Sequence, residues 1–232
     1  MKTQSQFAVV LPAAGSGKRF GGGDKLMMDL GGQSVLQRAV GIFAARKDVA
    51  QIVIVTSADR FELYGVHLRS VLGDRKVTFA QGGRERWESV MFGLRAVEAG
   101  IEYVAVHDAA RPLTTHEVID AAFAGAIETG GSVPCIAEPA TLKRMADGKV
   151  AETVARNGLY QAQTPQCFRK AELLAAYETL LAENKLADVT DDAQVFERVG
   201  RPVAITAGAA SNIKITTAED VALGRAILIS RI

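Results

Sequence analysis

Phe7-Ala-Val-Val-Leu-Pro-Ala-Ala-Gly-Ser-Gly-Lys-Arg-Phe-Gly-Gly-Gly-Asp-Lys25 joins an apolar run of strand length to a loop rich in glycine and cations. Phe7 to Leu11 has no polar alternation, so it reads as a strand buried on both faces, as in a parallel sheet covered by helices. The loop fails two familiar phosphate-binding patterns. A P-loop, G-x-x-x-x-G-K-[ST], needs Gly at Pro12 and Ser or Thr at Arg19. A dinucleotide fingerprint, G-x-G-x-x-G, needs Gly at Phe20. A third reading fits. Ala13, Ala14, Gly15 and Gly17 let backbone N–H groups approach a polyphosphate, while Lys18, Arg19 and Lys25 supply three cations within eight positions. Cations placed there contribute most when negative charge builds up on a reacting phosphate.

Working outward, strand-length apolar runs alternate with amphipathic stretches of helix length. Ser34-Val35-Leu36-Gln37 predicts a capping box opening a helix to about Arg46. Strands are expected at Gln51–Thr56, Val77–Ala80, Tyr103–Val106 and Ser132–Ala137. Helices are expected over about 59–72, after Gly82-Gly83 to about Ala99, and from Thr115 onward. This order implies an α/β fold: a Rossmann-like, doubly wound, mostly parallel sheet. Its β→α loops share one edge, where such sheets bind ligands, and segments 12–25, 81–89 and 107–112 all fall there. Asp147-Gly148 between two short strand-like runs predicts a β-hairpin, here a protruding arm at about 138–158. The tail predicts helices over about 170–184, after Thr190-Asp191, and from Thr217, with strands near 203–206 and 213–215. No linker or repeat divides the chain, so residues 1–232 are expected to form one domain.

Composition sets outer limits. With 232 residues, 48% hydrophobic and net charge +1, the chain can bury a sizeable core and carries no basic excess for nucleic acid or an anionic membrane. No apolar run approaches the ~20 residues of a membrane span, and Met1–Gln6 lacks the pattern of a signal peptide, so a cytoplasmic protein is expected. Cys135 and Cys167 form no CxxC or Cys/His cluster and read as reduced thiols. His67 and His116 read as helix-surface residues and His107 as a packing or hydrogen-bonding neighbour.

Pro12-Ala-Ala-Gly-x-Gly-x-Arg19 with Lys25 beyond it resembles the signature of nucleotidyltransferases. Six further motifs follow in order: Gly82-Gly83-Arg-Glu-Arg86-Trp-Glu-Ser89, His107-Asp108-Ala-Ala-Arg111-Pro112, Arg156-Asn-Gly-Leu159, Gln163-Thr-Pro-Gln166, Thr190-Asp-Asp192 and Asn212-Ile-Lys-Ile-Thr216. Together they resemble the 2-C-methyl-D-erythritol 4-phosphate cytidylyltransferase family over about residues 7–225. That family moves a cytidylyl group from CTP to a phosphorylated polyol, releasing pyrophosphate, in non-mevalonate isoprenoid biosynthesis.

The resemblance implies catalytic roles for Arg19, Lys25, Arg156 and Lys214. It assigns CTP to Pro12, Ala13, Ala14, Gly15, Ser16, Gly17, Lys18, Gly82, Gly83, Arg86, Ser89, Asp108 and Ala109. It assigns the acceptor to Asp108, Arg111, Thr141, Arg156, Thr164, Thr190 and Lys214. Mg²⁺ is implied mainly through the triphosphate, with Asp108 as its candidate side-chain ligand. A homodimer is implied too, the arm carrying Thr141 and Arg156 to the neighbouring subunit. No general base is needed, because the attacking phosphate oxygen is already ionised at neutral pH.

This chain departs from the family's usual pattern at several positions. Asp24 and Leu26 flank Lys25 where Pro and often Gln are usual, Arg84 replaces a frequent acidic residue, and Ala140 replaces an Asp. Two alternatives keep the fold: a cytidylyltransferase for ribitol 5-phosphate or another polyol phosphate, and a non-catalytic nucleotide-binding regulator. The regulator would be marked by loss of Arg19, Lys25 or Lys214, and all three are present. A dehydrogenase would need an acidic residue ending the second strand, which here ends in Thr56-Ser57.

Overall fold

Strand β1 (Phe7–Pro12) sits inside the sheet, paired in parallel with β2 (Val49–Thr56) on one side and β4 (Tyr103–Val106) on the other. In this computed structural model, residues 6–15 and 24–231 are described. The apolar run splits by parity, as a strand with two buried faces requires. Phe7, Val9 and Leu11 enter one core layer; Ala8 and Val10 enter the other. Ile52 and Ile54 of β2 join the first layer, and Val53 and Val55 the second. The first layer is closed by α1 (Val35–Ala44), α2 (Phe61–Leu72), α4 (His116–Thr129) and α7 (Ala218–Ile229). The second is closed by α3 (Arg86–Arg95), α5 (Lys170–Ala182) and α6 (Asp192–Arg198).

With β3 (Val77–Gln81), β5 (Gly131–Ala137), β9 (Gln166–Arg169) and β10 (Ala204–Ala207), the strand order is β10-β5-β9-β4-β1-β2-β3. All neighbours are parallel except at β9, which runs antiparallel to both β4 and β5. Short β8 (Tyr160–Ala162) continues the same lane beside β5. β8 and β9 are therefore one strand interrupted at Gln163–Pro165, an element that sequence periodicity does not predict. The chain turns from β1 to β2 and β3 on one side and reaches β4 on the other, so the sheet has its switch point between β1 and β4.

Three expectations shift. Segment 213–215 is not a strand; it is an extended connection pinned by Ile215 N–H to the Ala110 carbonyl at 2.8 Å. Helix α3 ends at Arg95 rather than near Ala99, and α1 at Ala44 rather than Arg46. The arm is a separate two-stranded ribbon of β6 (Leu142–Ala146) and β7 (Lys149–Val154). Its turn residues Asp147 and Gly148 have φ of 49° and 72°, the double positive φ that an Asp-Gly hairpin turn supplies.

The capping box at α1 is present. The Ser34 hydroxyl accepts Gln37 N–H at 3.0 Å, and the Gln37 side chain accepts Ser34 N–H at 2.8 Å. His67 Nε2 of α2 also lies 2.7 Å from the Ser34 hydroxyl, so one buried oxygen serves both helices. Ser34→Ala is expected to cost about 1 kcal/mol, lowering the thermal midpoint by roughly 2–4 °C. Calorimetry checks this; an unchanged midpoint would refute the capping account.

Candidate functional site

The hydrogen-bond ladder of the sheet continues one step into each loop at its carboxyl edge. Ala13 N–H donates to Val55 O at 2.7 Å, Gly82 N–H to Thr56 O at 2.9 Å and His107 N–H to Val10 O at 2.9 Å. The loops after β1, β3 and β4 therefore leave the sheet at one level and enclose a cavity of about 500 Å³. Its lining includes Pro12, Ala13, Ala14, Gly15, Lys25, Gly83, Arg86, Ser89, Asp108, Ala109 and Lys214. Gly82 lies behind this lining: a Cβ on it would sit 2.5 Å from Ala14 Cβ, so only glycine lets the two loops close together. The Ser89 hydroxyl, 3% exposed, accepts Gly83 N–H at 3.0 Å and donates to Glu85 O at 3.2 Å, which fixes the Gly-Gly turn over α3. Ser16, Gly17, Lys18 and Arg19 lie outside the described residues.

Asp108 is the electrostatic centre. Lys214 Nζ lies 2.7 Å from its Oδ2, Arg86 Nη2 3.5 Å from its Oδ1, and Arg111 Nε 3.8 Å from its Oδ2. Burial works against a charged carboxyl here, but the Arg86, Lys214 and Arg111 cations outweigh it and hold Asp108 well below the usual carboxylate range. It stays ionised. The cavity lining carries Lys25, Arg84, Arg86 and Lys214 against Glu85 and Asp108, an excess of positive charge, while Arg111 reaches Asp108 from outside that lining.

Each cation has its own anchor. Arg86 Nη2 bonds Asp192 Oδ2 at 2.7 Å, and the fully buried Asp192 also accepts the Tyr177 hydroxyl at 2.6 Å. Burial opposes the Arg86 charge, while Asp192 and Asp108 raise its pKa above the ordinary value. Arg111 donates to the Asn212 carbonyl at 2.6 Å; its Nε is buried and has no hydrogen-bond partner. Lys25 Nζ donates to the Ile215 carbonyl at 3.2 Å, one residue from Lys214. The two lysines thus meet on one wall although 189 positions separate them in sequence.

Behind this wall, three sequence motifs interlock. Asn212 Nδ2 donates to Thr164 O at 2.9 Å and to Gln163 Oε1 at 3.3 Å. His107, fully buried, has Nε2 3.0 Å from the Arg111 carbonyl and Nδ1 3.0 Å from the Thr164 hydroxyl. A carbonyl only accepts, so Nε2 carries the proton. Burial pushes the His107 pKa down to about 4, so the ring is neutral and Nδ1 accepts from Thr164. The Thr164 oxygen in turn accepts Asp108 N–H at 3.1 Å. Thr164 therefore fixes the Asp108 turn from behind, with its hydroxyl spent on protein groups.

The remaining residues singled out in the sequence lie elsewhere. Thr141 and Arg156 are exposed at the base of the arm, and Arg156 donates to the Pro139 carbonyl. Thr190 is exposed, its hydroxyl 3.2 Å from Gln194 Oε1. None of the three lines the cavity. Sequence reasoning missed Asp192, although the pair Asp191-Asp192 carried a signal. Asp191 caps α6 through Gln194 N–H at 3.0 Å, which leaves the second acid free to anchor Arg86. Among the described residues no helix is long and apolar enough to cross a membrane.

Comparison with known proteins gives one consistent result. The family described as 2-C-methyl-D-erythritol 4-phosphate cytidylyltransferase matches residues 7–230. A bifunctional enzyme IspD/IspF of Rhizobium rhizogenes is 40% identical over 93% of this chain, which spans 54% of that relative. The chain thus spans about half the length of the bifunctional relatives. The 2-C-methyl-D-erythritol 4-phosphate cytidylyltransferase of Bacillus licheniformis is 37% identical, covering 96% of this chain and 95% of its own. The crystal structure of 4-diphosphocytidyl-2C-methyl-D-erythritol synthase from Anaerococcus prevotii superposes with a TM-score of 0.85, at 28% identity and 97% coverage of both chains.

The neutral His107 carries a pH signature. Between pH 6.5 and about 4 the unfolded chain takes up a proton that the folded chain refuses, so stability falls as pH drops through that window. The loss is on the order of 3 kcal/mol. Urea unfolding at pH 7 and pH 4.5 measures it, and His107→Asn should lack that part of the slope. An identical slope in the variant would refute the assignment.

Proposed function

Because this chain belongs to the 2-C-methyl-D-erythritol 4-phosphate cytidylyltransferase family, we propose that it transfers a cytidylyl group from CTP to 2-C-methyl-D-erythritol 4-phosphate, releasing pyrophosphate and 4-diphosphocytidyl-2-C-methyl-D-erythritol. The observation that carries this reading is the meeting of Lys25 and Lys214 beside the Asp108 ring, on a cavity walled by small residues. An acceptor phosphate oxygen forms a bond to the α-phosphorus of CTP as the bond to the pyrophosphate oxygen breaks. Charge grows on the α-phosphoryl oxygens in that transition state, and fixed cations stabilise it without reorganising.

In this reading Lys25, with Arg19, holds the triphosphate, and Lys214 and Arg111 orient the acceptor phosphate. Ala13, Ala14 and Gly83, which line the cavity, would cradle the cytosine, with Gly82 packed behind them. Asp108 does two jobs. It spaces the cations, and in this reading it would be the candidate side-chain ligand for Mg²⁺ entering with the triphosphate. Among the described residues no three His, Cys, Asp or Glu side chains cluster as metal ligands, which fits an ion held mainly by phosphate oxygens and water. Bound there, the ion would neutralise charge on the phosphate oxygens.

Thr141 and Arg156 complete the acceptor pocket in trans, the arm of one subunit reaching the cavity of its mate in a homodimer. Their exposure, away from this chain's own cavity, supports that geometry. The unpaired Cys135 and Cys167 suit a reducing cytoplasm.

Pyrophosphate release from each nucleoside triphosphate, with methylerythritol phosphate or ribitol 5-phosphate as acceptor, tests the reaction; preference for ribitol phosphate would overturn the acceptor. Lys25→Ala should lower kcat by roughly two to three powers of ten with CTP still bound. Arg156→Ala should mainly raise KM for the acceptor. Mixing these two variants should restore activity, because a mixed dimer holds one cavity with both an intact Lys25 and an intact arm. No restoration would rule out the shared site.

A further inference from the structure

Asp24 precedes Lys25, and a carboxylate beside a triphosphate loop should repel the substrate. Its geometry shows why it does not. Asp24 is absent from the cavity lining that includes Lys25 and Leu26. Its Oδ2 accepts the Tyr64 hydroxyl at 2.6 Å and pairs with Arg60 Nη1 at 3.4 Å. Arg60 also donates to the Tyr64 hydroxyl at 3.2 Å, closing a three-membered cluster. Tyr64 is fully buried on α2, so one side of the cluster is fixed in the core. Burial, with the Asp24 carboxylate beside it, pushes the Tyr64 phenol above its ordinary range, and it remains a donor.

The other oxygen of Asp24 faces the turn. Oδ1 accepts Leu26 N–H at 3.0 Å, and the Asp24 carbonyl accepts Met27 N–H at 2.9 Å. These two bonds define the single 3₁₀ turn Lys25–Met27, while Leu26, 4% exposed, drops into the core. Lys25 thus leaves a backbone clamped on both sides, and its ammonium is set on the Ile215 carbonyl.

We propose that Asp24, Tyr64 and Arg60 form a latch that positions Lys25 for the transfer, tying its turn to helix α2. Asp24 is a positioning residue that acts through Lys25, and this inference rests on the role given to Lys25 above. The latch also explains how this chain does without the usual proline. A proline fixes φ through its ring, whereas Asp24 holds φ at −89° through its side-chain bonds.

Steady-state kinetics with CTP and methylerythritol phosphate test the latch. Asp24→Ala should lower kcat about tenfold to a hundredfold while KM for the acceptor stays within about twofold, since a small displacement of a catalytic group is costly. Tyr64→Phe should show a smaller loss, and the double variant should be little worse than Asp24→Ala alone, as expected for residues of one network. Asp24→Pro, which fixes φ at about −65° without a carboxylate, should recover part of the lost kcat. Hydrogen exchange at the Leu26 amide gives a readout independent of the reaction: it should speed up in Asp24→Ala and stay slow in Lys25→Ala. The latch is overturned if Asp24→Ala keeps wild-type kcat while Lys25→Ala is inactive. It is equally overturned if Asp24→Ala only lowers KM for CTP, the mark of a merely repelling charge. Should Lys25→Ala remain fully active, the reading of Lys25 fails instead, and Leu26 exchange alone judges the latch: unchanged protection in Asp24→Ala overturns it.

Discussion

The site depends on a charge imbalance around one carboxylate. Three cations, Arg86, Lys214 and Arg111, converge on Asp108 at the end of β4. Without that anion they would repel one another across a few ångströms of partly dehydrated space. With it they stay together, and the cavity lining keeps an excess of cations over carboxylates. The anchors behind the cations, Asp192 for Arg86 and the Asn212 carbonyl for Arg111, limit how far each can move when an anion enters. A preorganised field of this kind stabilises developing phosphate charge more than flexible surface lysines could.

The sheet supplies the registry. Since β1 is parallel to both neighbours, loops beginning at Pro12 and His107 emerge side by side, and the Gly82 loop joins them through β2. The antiparallel lane of β8 and β9 then carries Thr164 to the underside of the Asp108 turn. His107 joins the two without a charge of its own, its ring locked as the Nε2–H tautomer between an acceptor and a donor. The His107, Thr164 and Gln163 side chains under the site are matched and hold the Asp108 turn, while Arg111 Nε and Asn212 Oδ1 are buried without a hydrogen-bond partner.

Much of this was legible in the residues. Tyr103–Val106, the Ser34 capping box, the Asp147-Gly148 turn and the start of α7 after Thr217 are all local signals, and all stand where short-range chemistry puts them. The cavity residues Ala13, Ala14 and Gly15 were also readable as small residues on a sheet-edge loop, and Gly83 and Asp108 through the family resemblance. What escaped was non-local. Gln166–Arg169 becomes a strand only because β4 and β5 leave a lane between them. Ile213–Ile215 has strand-like composition but pairs with no strand among the described residues; its backbone is held by Ile215 N–H on the Ala110 carbonyl and by Lys25 on the Ile215 carbonyl. Asp192 looks like part of a helix cap until Arg86 arrives from 106 residues away.

The bond from Ile215 to Ala110 also sets an order of events. Lys214 is synthesised more than a hundred residues after Asp108, Arg86 and Arg111. A nascent chain can lay down β1 to β4 and their loops, yet the charge ring around Asp108 stays open until the segment before α7 folds back across the sheet. The segment before α7 is thus the closing piece of the site, and possession of all four charged partners is a property only of a chain whose synthesis has passed Lys214.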